Sequence, residues 1–236
     1  MVETIKNVWV DTEGCSCPVH FEIDEKKYIA KTVDKEQAEN ELLGKIVSDA
    51  AGLKTPCMKI VSTDSLHSNV AEHITTKTSL LMTEIEDVES IEQSEKYEQD
   101  GLNGFNYEVI RQMNLSVAKD ALTGNADGNL CNYLINKEDE VFAIDHAAAD
   151  AEYTYLNEYA EEMLRNAIED EEIINDEAEI REWVEDYWGE GISKLEKADF
   201  TNTITDEEVL KNIQRRQAEL REKIIKETVE FVENEI

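Results

Sequence analysis

Positive charge is scarce in this sequence beside the negative. Only 23 lysines and arginines stand against 55 aspartates and glutamates, a net charge of −32. Nucleic-acid phosphates and anionic membrane surfaces repel such a chain, so neither is an expected partner. Three readings of the acidity stay open. It is a solvated acidic face, an adaptation to a salty interior where screening weakens self-repulsion, or a mimic of DNA with carboxylates in place of phosphates.

Cysteine is scarce too. Cys15 and Cys17 are too close for a two-residue zinc knuckle, and Cys57 and Cys131 make no second pair. His20, His67, His73 and His146 are scattered, with no His-x-x-x-His. Free thiols in a reducing compartment are therefore expected. No signal-peptide pattern and no apolar run of membrane-spanning length is present, so a cytoplasmic protein is expected. No internal repeat and no low-complexity segment beyond the acidic bias stands out. What remains is 236 residues, 41% hydrophobic, enough for one large domain or two small lobes with a real core.

The first part reads as strands. Val8–Val10 is a short apolar run; VHFEI at 19–23 and YIAKTV at 28–33 flank the charged turn DEKK. A helix follows, capped by Asp34, with Leu42, Leu43, Ile46, Val47 and Ala50 on one face and Gly52 and Pro56 at its end. CMKIV at 57–61 and SLLMTEI at 79–85 are further strands. Residues 86–104 are acidic and aperiodic and read as a linker between an N-lobe over 1–85 and a C-lobe over 105–236. In the C-lobe, residues 107–123 have helical spacing. The polar loop GNADGNLCN at 124–132 follows, then a hairpin of NYLIN and VFAID. Helices are expected over 155–169 and 174–188, the second carrying Trp183, Tyr187 and Trp188. A last, long helix opens with a Thr205/Glu208 capping box.

The loop and hairpin hold the residues that suggest chemistry. Asp127 and Asn132 lie before the hairpin and Asp145 at its end. Two carboxylates and an amide oxygen suit magnesium and the orientation of a hydroxyl nucleophile, which is what phosphoryl transfer needs. Lys31 sits mid-strand among apolar residues, where a lysine able to reach nucleotide phosphates would stand. The next helix offers Glu36, Glu39 and Glu41 to hold that lysine. Helical periodicity puts Glu39 on the apolar face.

In order and spacing these pieces resemble the HipA-like serine/threonine kinases, relatives of the protein-kinase and phosphatidylinositol-kinase superfamily. Asn40-Glu41 followed by Ala51-Gly52-Leu53-Lys54-Thr55-Pro56 matches one family segment. Gly124-Asn125-Ala126-Asp127-Gly128 with Asn132 is similar to the catalytic loop, and Ile144-Asp145 to the metal-binding aspartate. The resemblance runs from about Gly14 to Asp145. It implies an α+β, two-lobed protein-kinase-like fold with a small antiparallel-sheet N-lobe carrying one helix and a larger, mainly helical C-lobe.

The resemblance also implies roles. Asp127 would be the catalytic base beside Asn129, with Asn132 and Asp145 on Mg2+. Lys31 would contact the ATP phosphates and be held by Glu41 rather than Glu39. Backbone near Glu84, Ile85 and Glu86 would bind adenine. Gly14 and Ser16 lie in the presumptive phosphate loop, where Ser16 is a candidate for autophosphorylation. The sequence departs from the family at Asn129, where histidine is usual, and in having no GxGxxG. The expected activity is transfer of the ATP γ-phosphoryl group to a protein serine or threonine. A small-molecule or lipid hydroxyl acceptor, a nucleotide-binding pseudokinase regulator, and an acidic DNA-mimic or interaction protein are the alternatives. A regulatory protein partner is compatible with each.

Overall fold

The computed structural model describes residues 5–11, 18–125, 128–146, 156–173 and 176–236. They form two compact units, residues 1–42 with 56–86, and residues 43–55 with 87–236.

The first unit is built on β1 (Ile5–Val10), β2 (Val19–Ile23), β3 (Lys26–Thr32), β4 (Met58–Ser62) and β5 (Thr78–Thr83), with a short α2 (Ser68–Ala71). The strands make one antiparallel sheet in the order β1-β2-β3-β5-β4. Asp24 and Glu25 close the β2–β3 hairpin at φ +48° and +65°, so the turn of DEKK takes two residues and Lys26 already pairs with Ile23. Alternation sorts the side chains between the two faces. Val19, Phe21 and Ala30 pack with Val70 and Ile74 on one face, and Val33, Leu80 and Met82 pack with Ala38 on the other.

Ala38 lies on α1 (Lys35–Ala51), a helix with well-defined ends. Asp34 Oδ1 accepts the Gln37 N–H at 2.8 Å while Gln37 Oε1 accepts the Asp34 N–H at 3.1 Å, a reciprocal capping box. At the other end Gly52 takes φ +89°. The Leu53 N–H bonds Ser48 O and the Gly52 N–H bonds Asp49 O, the Schellman pattern that a residue with a Cβ would strain.

The second unit contains β6 (Val88–Ser90), β7 (Tyr133–Asn136) and β8 (Val141–Ala143) as an antiparallel sheet in the order β6-β7-β8. Its helices are α3 (Glu95–Asp100), α4 (Tyr107–Thr123), α5 (Glu158–Glu169), α6 (Glu177–Lys197) and α7 (Glu207–Glu235). Every residue of α4 from Met113 to Thr123 is buried, including Asn114, Ser116, Lys119 and Asp120. A helix enclosed on all sides must find polar partners for such residues.

Three sequence expectations need revision. Residues 86–104 are no bare linker: they hold β6 and α3, and Ile91 is fully buried in the core of the second unit. A three-residue strand is too short to show alternation, so it left no periodic signal. The helix expected to end at 188 continues to Lys197 through Gly189 and Gly191. A Cβ at Gly191 would lie 3.2 Å from Leu115 Cα and 3.3 Å from Ala118 Cβ, so this glycine permits close approach of α6 to α4. The cap of the last helix is Asp206, not Thr205. Its Oδ1 accepts the N–H groups of Glu208 and Val209 at 2.8 and 3.1 Å.

Candidate active site

In the first unit, Lys31 pairs with Leu80 across β3 and β5. Its Nζ lies 3.1 Å from Glu41 Oε1, and the two side chains are only 12% and 1% exposed. Glu39, the alternative, is instead more than half exposed and pairs with Lys35 at 3.3 Å. The choice follows from helix geometry. Residues 38 and 41 are three apart, so Glu41 shares the face on which Ala38 meets the sheet. A buried carboxylate needs a cation, and Lys31 supplies it.

Past the end of β5 the backbone is partly committed. The Glu84 N–H donates to Lys27 O at 3.0 Å, and the Thr83 N–H to Cys57 O at 2.9 Å. The Glu84 N–H is therefore engaged within the first unit. The amides of Ile85 and Glu86 make no hydrogen bond among the described residues. The Glu84 carboxylate meets His20 Nδ1 at 3.3 Å, and the His20 ring stacks on Trp9 with centroids 3.9 Å apart. Glu86 pairs with Lys27 at 2.8 Å on the surface. Gly14 and Ser16 lie outside the described residues, as do Cys15 and Cys17.

In the second unit, the Ile144 N–H donates to Asn132 O at 2.9 Å, which sets the backbone just before Asp145 beside Asn132. Asn129 precedes the 3-10 turn Leu130–Asn132, and its carbonyl accepts the Asn132 N–H at 3.1 Å. Asp145 has φ +55°, a left-handed backbone that aspartate adopts more readily than most side chains. One carboxylate and one amide oxygen are hard donors. They match Mg2+, which takes one or two carboxylates and fills its shell from water and substrate phosphate. Asn132 and Asp145 would hold such an ion, and its chemistry there would be to neutralise phosphate charge. Among the described residues no three His, Cys, Asp or Glu side chains gather to hold a metal on their own. Asp127, the expected base, lies outside the described residues.

Around these residues runs a buried network that sequence reasoning did not single out. Asp120, 2% exposed, accepts from Asn125 Nδ2 at 2.9 Å, Tyr133 O–H at 2.9 Å and Asn157 Nδ2 at 2.6 Å. Lys119, also 2% exposed, forms an ion pair with it. On its other side Lys119 Nζ meets His146 Nδ1 at 3.3 Å, and His146 is fully buried. An ammonium cannot accept, so Nδ1 accepts and the neutral imidazole carries its proton on Nε2. Lys119 and Asp120 thus tie both the loop bearing Asn132 and the segment bearing Asp145 to α4. Burial first, then the Asp120 carboxylate, holds the Tyr133 phenol well above its ordinary range, so it remains a donor. The signal in the sequence was the pair Lys119-Asp120 inside the apolar run Val117 to Leu122. A charged pair there has to be neutralised internally.

A five-stranded antiparallel sheet whose Lys31 is paired with Glu41 on one long helix, joined in the chain to a mainly helical unit, decides the architecture. The fold is kinase-like. Among solved structures, the Helicobacter pylori proinflammatory kinase CtkA superposes with a TM-score of 0.50 over 96% of each chain, at 11% identity. WaaP in complex with acyl carrier protein aligns over 90% of this chain and 88% of its own, with a TM-score of 0.41 and 14% identity. No protein-family model and no curated protein matches the sequence. At 11% identity the likeness to CtkA speaks for the kinase-like fold alone, which is α+β and 54% helical. No helix among the described residues is long and apolar enough to cross a membrane.

Proposed function

We propose that this kinase-like chain is a Mg-ATP-dependent phosphotransferase of the HipA-like type, transferring the γ-phosphoryl group to a protein serine or threonine in the cytoplasm. The observation that carries this is the buried Lys31–Glu41 pair at 3.1 Å. A lysine held this way presents a fixed cation to phosphates without losing rotamer freedom on binding, which is where phosphoryl transfer gains most. Asn132 and Asp145 take the metal in this reading, Asp127 accepts the acceptor's proton, and Asn129 orients the loop through its amide. The amides of Ile85 and Glu86 serve adenine better than that of Glu84.

The test is Mg-ATP turnover, measured as γ-phosphate transfer to a mixed serine/threonine peptide library and to the chain itself. Wild type is expected to turn over and Asp145→Ala to lose at least about a hundredfold, the scale of removing one electrostatic contact to the transition state. Equal rates for the two proteins would remove the metal assignment. Asn129, where the HipA-like kinases have histidine, favours a second reading, a pseudokinase that binds nucleotide and regulates a partner. That reading predicts saturable ATP binding with no transfer by wild type.

A further inference from the structure

Asp120 on α4 holds four donors, two on each carboxylate oxygen, about as many as a carboxylate can accept. Oδ1 takes Asn125 Nδ2 at 2.9 Å and the Lys119 ammonium. Oδ2 takes the Tyr133 O–H at 2.9 Å and Asn157 Nδ2 at 2.6 Å. Asn125 stands at the entry of the polar loop, and Tyr133 at its exit directly after Asn132. Gly128, between them, presses on the same carboxylate: a Cβ there would overlap Asp120 Oδ2 and lie 2.8 Å from Asn157 Nδ2. The loop therefore meets one buried carboxylate at its entry, its middle and its exit.

Asn157 is the donor that comes from outside the loop. It is buried and uses both ends of its amide. Oδ1 accepts the Ala160 N–H at 2.8 Å and caps α5, while Nδ2 donates to Asp120. A cap needs only the oxygen, which serine or aspartate supplies equally well. The amide is what a cap requires when it must also donate.

We infer that Asn157 is a positioning residue for the candidate site: through Asp120 it fixes the loop that ends in Asn132, and so ties the start of α5 to the place of that side chain. The inference rests on the phosphotransfer reading above. In that reading Asn132 holds the metal, and a misplacement of about 1 Å costs on the order of a hundredfold in rate. The backbone of Asn132 is bonded within the loop and hairpin, its N–H to Asn129 O and its carbonyl to the Ile144 N–H. The Tyr133–Asp120 bond refers that local arrangement to α4, and the Asn157–Asp120 bond refers it to α5. With its acceptor positions shared out in this way, Asp120 sets where the loop lies only while each donor is present. A purely structural network would lose stability and activity together. A positioning contact separates them.

The test compares the full wild-type chain with Asn157→Ala, Asn157→Ser, Tyr133→Phe and Asp206→Ala. Each is read as a urea midpoint, as deuterium uptake over residues 125–133, and as kcat and KM for ATP in the Mg-ATP assay. Asn157→Ser keeps an oxygen for the cap, with a side chain one bond shorter, and is expected to melt above Asn157→Ala. Both are expected to lose about tenfold in kcat with KM for ATP within about twofold, and to speed uptake over 125–133 about tenfold. Tyr133→Phe removes a different donor from the same oxygen and is expected to match them in kcat and uptake. Asp206→Ala removes the cap of α7 and is expected to lower the midpoint while leaving kcat and that uptake unchanged. The inference is overturned if kcat simply follows the urea midpoint across these proteins. It is equally overturned if uptake over 125–133 is unchanged in both Asn157→Ser and Tyr133→Phe. Absence of transfer by wild type removes the phosphotransfer reading instead, and the uptake then decides alone whether Asn157 and Asp120 hold the loop. Should Asn157→Ser fail to fold, Tyr133→Phe set against Asp206→Ala gives the same decision.

Discussion

Lys119 and His146 meet nitrogen to nitrogen at 3.3 Å, each almost wholly buried, and Lys119 is at the same time the counter-ion of Asp120. One cation on α4 therefore answers to two neighbours, one next to Asp145 and one bonded to the loop before Asn132. Asp120→Asn keeps the shape but leaves the Lys119 charge without its carboxylate. A loss of about 3–5 kcal/mol in unfolding free energy is expected, read from urea melts. Lys119→Met/Asp120→Asn removes both charges and is expected to recover most of that loss. If the single and double variants melt together, the pair carries no such coupling.

Gly44 on α1 answers to the same histidine. A Cβ there would overlap His146 Cβ and Cγ. Gly44→Ala gains about 1 kcal/mol in helix propensity, but overpacking of about 1–3 kcal/mol opposes it. Net destabilisation is expected in thermal melts, together with reduced ATP turnover, because the residue displaced adjoins Asp145. A more stable Gly44→Ala would show that His146 yields easily.

Structural and chemical roles of Lys31 separate in a double variant. Lys31→Met takes from Glu41, 1% exposed, the cation it is paired with, and should lose about 3–5 kcal/mol. Lys31→Met/Glu41→Met should regain that stability. Its ATP turnover should nevertheless stay about a hundredfold or more below wild type, since the phosphate cation is still missing. Recovery of turnover with stability would make the pair purely structural.

Glu162 gives the acid side of the stability profile a definite sign. Desolvation raises its carboxyl above the ordinary 4.5, against the lowering effect of the Tyr97 O–H bond at 3.1 Å. The folded state then holds this proton more tightly than the unfolded one. The group's contribution to stability is full below pH 4.5 and is lost as pH rises through its folded value. Glu162→Gln is expected to flatten that decline, measured as urea midpoints between pH 4 and 8. Tyr97, raised to about 12 by burial and then by Glu162, should ionise lower in the same variant when titrated by absorbance.

Much of the architecture could be read from periodicity and punctuation. The β2–β3 hairpin, α1 from its Asp34 cap to its Gly52 stop, α4 and the β7–β8 hairpin stand close to where local pattern puts them. Each is a long or strongly punctuated segment whose signal is contained within it. β6 escaped notice because three residues cannot show a period. The run of α6 through Gly189 and Gly191 escaped because glycine reads locally as a stop, whereas here it admits a neighbouring helix. The places of Lys31 on β3 and of Asn132 and Asp145 at the two ends of the β7–β8 hairpin were legible by residue type and spacing; their roles belong to the proposal. Helical pattern alone pointed to Glu39 and the resemblance to Glu41; Lys31 pairs with Glu41, on the face turned to the sheet.

By itself the sequence determined the kind of protein this is. An acidic chain with an alternating first part and a helical second part dictates an α+β fold with a lysine on a strand and a polar loop before a hairpin, because those choices depend on neighbours in the chain. What the tertiary structure decided is which charges are buried together: Lys31 with Glu41, and Lys119 with Asp120 and His146. Those partnerships join residues up to tens of positions apart, and their energy depends on exclusion of water, which no local pattern encodes.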